Sequence, residues 1–194
     1  MRTGIRCVLL CGAALGALGS GVIAQDKVGY EYRVLATSKT STMENEMNAA
    51  AEGGFRFRSV MGGDTAIGGS EVVAVMVRSP EIKGRYAYKL LATSKTSTME
   101  KELQQAADAG FEYADQTVFK SASCGEEVVC ILERNTDTRA RSQYRLIATT
   151  KTSTMEKELR EAGAAGYQVM GMTVAKTAFG GKELLTIMRR PERP

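Results

Sequence analysis

Apolar and polar positions along this chain alternate between two rhythms. Tyr30 to Thr37 is dense in aromatic and β-branched residues and reads as a strand. Met43, Met47 and Ala50 then recur at i, i+4 and i+7, a narrow apolar stripe on one face of a helix. Gly54 suits the left-handed residue just past a helix end, with Phe55 packing back on Ala50. Two more strands are predicted, Phe55 to Met61 and Glu71 to Arg78, joined by a loop around Gly62-Gly63 and Gly68-Gly69. Ser41-Thr42-Met43-Glu44 has the form of a capping box, with Ser41 accepting from the helix and Glu44 reaching back to the Ser41 N–H.

The whole pattern recurs. Ala36 to Glu44 returns as Ala92 to Glu100 and, with Thr150 replacing a serine, as Ala148 to Glu156. Lys39, Lys95 and Lys151 set a period of 56, which also links Tyr32, Tyr88 and Tyr144, and Arg78, Arg134 and Arg190. Helix signals recur at Ser97, Glu100, Gly110 and Phe111, and at Ser153, Glu156, Gly166 and Tyr167. The later strand pairs are Phe111 to Lys120 with Glu127 to Arg134, and Tyr167 to Lys176 with Glu183 to Arg190. Ser79 to Arg85 and Asn135 to Gln143 are short linkers, which favours packed units over loosely strung ones. A unit of this size buries only about 60% of its unfolded surface and is marginal alone. The expected fold is α+β: three tandem βαββ repeats over residues 25–80, 81–136 and 137–194, antiparallel-rich, one helix per repeat, in pseudo-threefold packing.

Tyr30-Glu31-Tyr32 and Tyr86-Ala87-Tyr88 open strands, each helix ends in Gly-aromatic, and the last strands end in Arg78, Arg134 and Arg190. These residues resemble the bacterial domain-of-unknown-function family 4177, a small βαββ module, over nearly all of residues 25–194. The resemblance implies the fold and no activity. The element order is also similar to dodecin, a flavin-binding βαββ protein that assembles into a shell.

The first 24 residues stand apart. Arg2 and Arg6 precede a small, apolar run from Cys7 to Ala24, ending in Val22-Ile23-Ala24. That is the form of a secretory signal peptide cleaved after Ala24, and it implies a periplasmic or secreted protein. The alternative is an uncleaved anchor, weakened by the glycines within the run. Without Arg2 and Arg6, 24 basic residues face 22 acidic ones, a net charge of +2. Nothing so near neutrality suggests nucleic acid as a partner, and no later stretch is long enough to span a membrane.

Candidate chemistry is sparse. The chain has no histidine, which excludes Ser-His-Asp and Cys-His catalysis and imidazole metal sites. The repeated loop is the strongest candidate: Lys39, Thr40, Ser41 and Thr42; Lys95, Thr96, Ser97 and Thr98; Lys151, Thr152, Ser153 and Thr154. A lysine, hydroxyls and free N–H groups at a helix start favour an anion, three times over. The plainer alternative is a cap alone, with Glu44 already placing a carboxylate there. Outward helix positions differ between copies, as Asn48, Gln104 and Arg160 show.

Cys124 and Cys130 allow a disulfide in an oxidising compartment. An extended strand would hold them about 20 Å apart, whereas a bridge needs Cα atoms within about 7 Å. Either the loop curls back or both thiols stay free. Glu126-Glu127 reads as solvated surface; Tyr32, Tyr88 and Tyr144, with Phe55, Phe111 and Tyr167, read as core before ligand cavity, as do Met43, Met99 and Met155. The expectation is a non-enzymatic exported binding or interaction scaffold with no cofactor and an unknown protein or small-molecule partner. The alternative is a small-ligand carrier, holding an anion at the Lys-Thr-Ser-Thr loops or a flavin as dodecin does.

Overall fold

The computed structural model describes residues 29–66, 69–93, 95–121, 125–138, 141–176 and 181–192. The proposed signal peptide, residues 1–24, lies outside them. The elements run β1 (Glu31–Thr37), α1 (Thr40–Glu52), β2 (Arg56–Thr65), β3 (Gly69–Arg78), then β4 (Tyr86–Thr93), α2 (Thr96–Asp108), β5 (Glu112–Ser121), β6 (Gly125–Asn135), then β7 (Ser142–Thr149), α3 (Thr152–Ala164), β8 (Gln168–Lys176), β9 (Lys182–Pro191). The fold is α+β: three antiparallel three-stranded sheets, ordered β1-β3-β2, β4-β6-β5 and β7-β9-β8, with three helices. In each sheet the last strand in sequence takes the centre and carries most of the buried strand residues. Each second strand carries a bulge, at Arg58, Ala114 and Met170, that shifts the register by one residue.

The helix C-termini form as the Gly-aromatic pairs predict. Gly54, Gly110 and Gly166 have φ of 82°, 84° and 86°, a left-handed conformation that glycine adopts without steric cost. The Phe55 N–H bonds the Ala50 carbonyl at 3.1 Å and the Gly54 N–H the Ala51 carbonyl at 2.9 Å, a Schellman arrangement repeated at Phe111 and Tyr167. The repeated arginine completes it. Arg78, Arg134 and Arg190 donate to the carbonyls of Gly53, Ala109 and Ala165 and stack on Phe55, Phe111 and Tyr167.

The helix N-termini differ from expectation. Lys39, not Ser41, is the N-cap, and it makes no side-chain cap bond. The Lys39 N–H instead donates to the Thr37 hydroxyl at 3.2 Å, a local turn recurring at Thr93 and Thr149. The second difference is β2, which runs through Gly62-Gly63 to Thr65 instead of stopping at Met61. A Cβ on Gly62 would sit 2.2 Å from the Val118 carbonyl oxygen of β5, so this glycine serves close approach of two sheets within a strand.

Layers stack in chain order: sheet 1, α1, sheet 2, α2, sheet 3, α3. One core joins Met43, Met47 and Met76 of the first unit to Tyr88, Val129 and Ile131 of the second. The next joins Met99, Leu103 and Cys130 to Tyr144, Leu185 and Ile187 of the third. The last is smaller and lies within the third unit, around Ile147, Met155 and Met188. Helix α1 packs on β4 and α2 on β7, but among the described residues α3 makes no comparable contact with β1. The packing is therefore an open series, in which each unit's helix covers the front of the next sheet, and not a closed threefold.

Candidate functional site

The front of sheet 1 is where this series leaves a surface uncovered. In the register of β1, β3 and β2, Tyr32 lies opposite Val77, Val34 opposite Val75, and Met61 opposite Val73, so these side chains share one face. Tyr32 is 62% exposed, Val34 64% and Met61 61%. One unit on, the same face is covered by α1: Tyr88 is 3% exposed, Val129 and Ile131, the counterparts of Val73 and Val75, are fully buried, and Leu90 and Thr117, the counterparts of Val34 and Met61, are half-buried. The expectation that Tyr32 is core fails because, among the described residues, no helix lies over the front of sheet 1, while Tyr88, Tyr144, Phe55, Met43, Met99 and Met155 are buried as expected and Phe111 and Tyr167 are half-buried. Tyr30 stacks beside Tyr32 with ring centroids 6.4 Å apart. Neither Val34 nor Met61 is conspicuous alone in the sequence; the 56-residue spacing equates the exposed Tyr32 with the buried Tyr88 and Tyr144, and the exposed Val34 with the half-buried Leu90 and Leu146.

Beside this face runs an open cleft of about 1000 Å³, lined by Tyr32, Tyr86, Arg56, Glu133, Glu112 and Arg189 among others. Several of its polar groups join one unit to the next. At the first junction the Tyr88 hydroxyl accepts the Phe57 N–H at 2.7 Å, an amide made available at the bulge, and donates to Glu133 Oε2 at 2.9 Å. Arg56 grips the same carboxylate, with Nη2 at 2.7 Å and Nε at 3.0 Å from Oε1, and stacks over Tyr86. Asn48 brackets β4, accepting the Tyr88 N–H and donating to the Tyr88 carbonyl, both at 2.9 Å. Glu44 Oε2 accepts the Leu90 N–H at 2.8 Å. With Lys39 as the N-cap, Glu44 lies too far along the helix for the expected capping box, and its carboxylate reaches forward to the edge of the next sheet.

At the second junction the Tyr144 hydroxyl takes the Tyr113 N–H at 2.7 Å, and Gln104 accepts the Tyr144 N–H at 3.0 Å. The ion pair is reversed in polarity: Arg189 Nη1 lies 2.9 Å from Glu112 Oε1. Asn48 and Gln104 are thus not outward positions free to drift but edge clamps. At the end of the series, Arg160 pairs with Glu156 of its own helix at 2.7 Å. Burial pushes the Tyr88, Tyr113 and Tyr144 phenols upward; the Glu133 charge adds to this at Tyr88, while the Tyr113 amide and Arg189 oppose it at Tyr144.

The Lys-Thr-Ser-Thr loops do stand at helix starts, with Lys39, Lys95 and Lys151 exposed. Thr40 and Ser41 border a shallow cleft of about 480 Å³ that also holds the carboxylates Glu44 and Glu102. Ser97 and Thr98 line another of about 410 Å³, again with Glu102. Lys89 lines the first cleft and Lys101 the second, so acids and lysines face one another in both. Thr152, Ser153 and Thr154 begin α3, with Ser153 exposed. Cys124 lies outside the described residues; Cys130 is a free, buried thiol 4.0 Å from the Met99 sulfur, pushed up to about 12 by burial and the nearby Asp115. Glu126 and Glu127 sit half-buried at the start of β6. Among the described residues no three acids or cysteines converge on a metal-sized site, and no helix is long and apolar enough to cross a membrane. No protein-family model matches the chain, and no match to a curated protein or to a solved structure was found.

Proposed function

We propose that this chain is a non-enzymatic binding or interaction scaffold, exported and freed of residues 1–24, made of three 56-residue βαββ modules akin to domain-of-unknown-function family 4177. The observation that carries the reading is the front of sheet 1. It presents Tyr32, Val34 and Met61 to solvent on a face that, one unit on, lies beneath a helix and buries Tyr88, Val129 and Ile131. Contiguous apolar surface of this kind marks an interaction site. The buried groups support the same reading. Phenols and a thiol pushed upward by burial stay protonated near neutrality, so they hydrogen-bond and pack instead of serving as bases or nucleophiles.

The expected behaviour is binding that Tyr32→Lys weakens without loss of thermal stability. A turnover activity abolished by substituting one polar residue would overturn the scaffold. Export is tested by the N-terminus of the released protein, expected at Gln25. The second reading, a small-ligand carrier, draws on the three Thr-Ser-Thr first turns, each with its serine exposed. Phosphate, sulfate or flavin mononucleotide at 100 times its dissociation constant would add about 2.7 kcal/mol of stability. Loss of that gain in a Lys39→Ala, Lys95→Ala, Lys151→Ala variant would promote the carrier.

A further inference from the structure

We propose that copies of this chain associate head to tail, with α3 and β8 of one copy covering the front of sheet 1 of the next. The inference rests on the scaffold reading and names its partner as a second copy. Its basis is continuity with the two junctions inside the chain. Twice, a helix lies over the front of the following sheet while a tyrosine from that sheet caps a bulge amide of the preceding one: Tyr88 on Phe57, Tyr144 on Tyr113. Among the described residues both half-interfaces at the ends of the series are open. Tyr32 holds the register position of Tyr88 and Tyr144 yet is exposed. At the far end β8 repeats the bulge at Met170, and among the described residues no tyrosine hydroxyl meets the Val169 amide. Val169, Met172 and Val174 are exposed there.

The outer side of α3 is shaped for the same contact. Gly163 stands where α1 and α2 carry Ala51 and Ala107, and Ala107 is buried in the core shared with the following unit. A Cβ on Gly163 meets nothing within 4 Å. Leu159 is half-buried, whereas Met47 and Leu103 at the same position, each with a further sheet over it, are fully buried. A second copy's sheet 1 would complete that core. Such a contact is heterologous, so copies extend into a ring or an open chain and do not stop at a symmetric pair.

The test is light scattering of the full chain during size-exclusion chromatography over a concentration series. Wild-type protein is expected at multiples of the monomer mass, rising with concentration. Tyr32→Lys blocks the front, and Gly163→Glu blocks the back while adding helix propensity; each is expected to be monomeric. Mixing the two variants leaves one intact front and one intact back, so assembly should stop at a pair. Circular dichroism melts check that both variants remain folded. A monomeric wild type overturns the proposal, as does association that survives Gly163→Glu but not Tyr32→Lys, which would mean front-to-front pairing. Association indifferent to both overturns it as well. None of these outcomes touches the scaffold reading, which falls only to a turnover activity.

Discussion

The two junctions hold the same contact with opposite charges. At both, a tyrosine hydroxyl caps a bulge amide and an amide side chain from a helix clamps the next sheet edge. At the first, however, the arginine comes from the earlier unit and the carboxylate from the later one, Arg56 to Glu133; at the second, Glu112 precedes and Arg189 follows. The end positions continue neither polarity, with Val77 at the front and Gln168 at the back. What is kept defines how any two units dock. What is exchanged distinguishes one neighbour from another, since Arg56 set against Arg189 would meet a like charge. Copies this similar need such a device, because their apolar faces alone do not tell second from third.

The largest test of the comparison concerns how closely the sheets approach. Gly62→Ala places a Cβ 2.2 Å from a backbone oxygen of β5, which cannot swing aside. Relieving it means separating two sheets at the first junction, at a cost of about 3 kcal/mol. Gly171→Ala at the second meets the Tyr113 hydroxyl at 2.1 Å, the tip of a side chain that can tilt. About 1 kcal/mol is expected there. Urea midpoints of the two variants check the ranking, and equal losses would mean that the first junction yields as readily as the second.

Those glycines also show where the sequence was legible and where it was not. Helix C-termini were readable because their backbone participants are local: Ala50, Gly54 and Phe55 lie within six residues of one another. The N-terminal box does not form because the helices begin two residues earlier, after Lys39, Lys95 and Lys151, and Glu44 finds its partner, the Leu90 N–H, 46 residues away in another unit. Gly62-Gly63 looked like a loop because a glycine kept for close approach carries no local mark of its purpose. The 56-residue period made Tyr32, Tyr88 and Tyr144 look equivalent, and within each sheet they are. Their surroundings differ because burial depends on what precedes the sheet, which periodicity alone does not report. The surface of the candidate site was thus hidden by the very regularity that revealed the fold.

A smaller effect separates the two capping phenols. Tyr88→Phe leaves the Phe57 N–H without its acceptor and Glu133 without a donor, a loss of about 2 kcal/mol. Tyr144→Phe strands one amide and should lose about 1 kcal/mol. Their pH dependence follows from burial, which raises both phenols above the value near 10 of an unfolded tyrosine. Between pH 10 and the folded value the unfolded chain holds fewer protons than the folded one. Stability therefore falls as pH rises there, by up to about 1.4 kcal/mol per pH unit for each phenol, and is complete below pH 10. The Glu133 charge adds to burial at Tyr88, whereas Arg189 opposes it at Tyr144. Phenolate absorbance should accordingly develop at Tyr144 before Tyr88, resolved by titrating the two Phe variants. The reverse order would mean that the exchanged ion pairs do not reach the phenols.

The smallest expected effect bears most directly on what the exchange accomplishes. Arg56→Glu or Glu133→Arg alone sets like charges face to face and should cost about 1 kcal/mol, which the double variant largely recovers. Glu112 with Arg189 should show a weaker coupling, since Arg189 makes one contact where Arg56 makes several. The informative protein is Glu112→Arg with Arg189→Glu. It preserves an ion pair at each junction, so native stability should change by less than about 0.5 kcal/mol. Yet both junctions then share one polarity, and Arg56 finds a carboxylate on the third unit as readily as on the second. If opposite polarity orders the units, refolding of this variant from urea should show an added slow or aggregating fraction absent from the parent. Refolding that is indistinguishable from the parent would assign the ordering to the short linkers instead, and the exchange of charges would then be incidental to assembly.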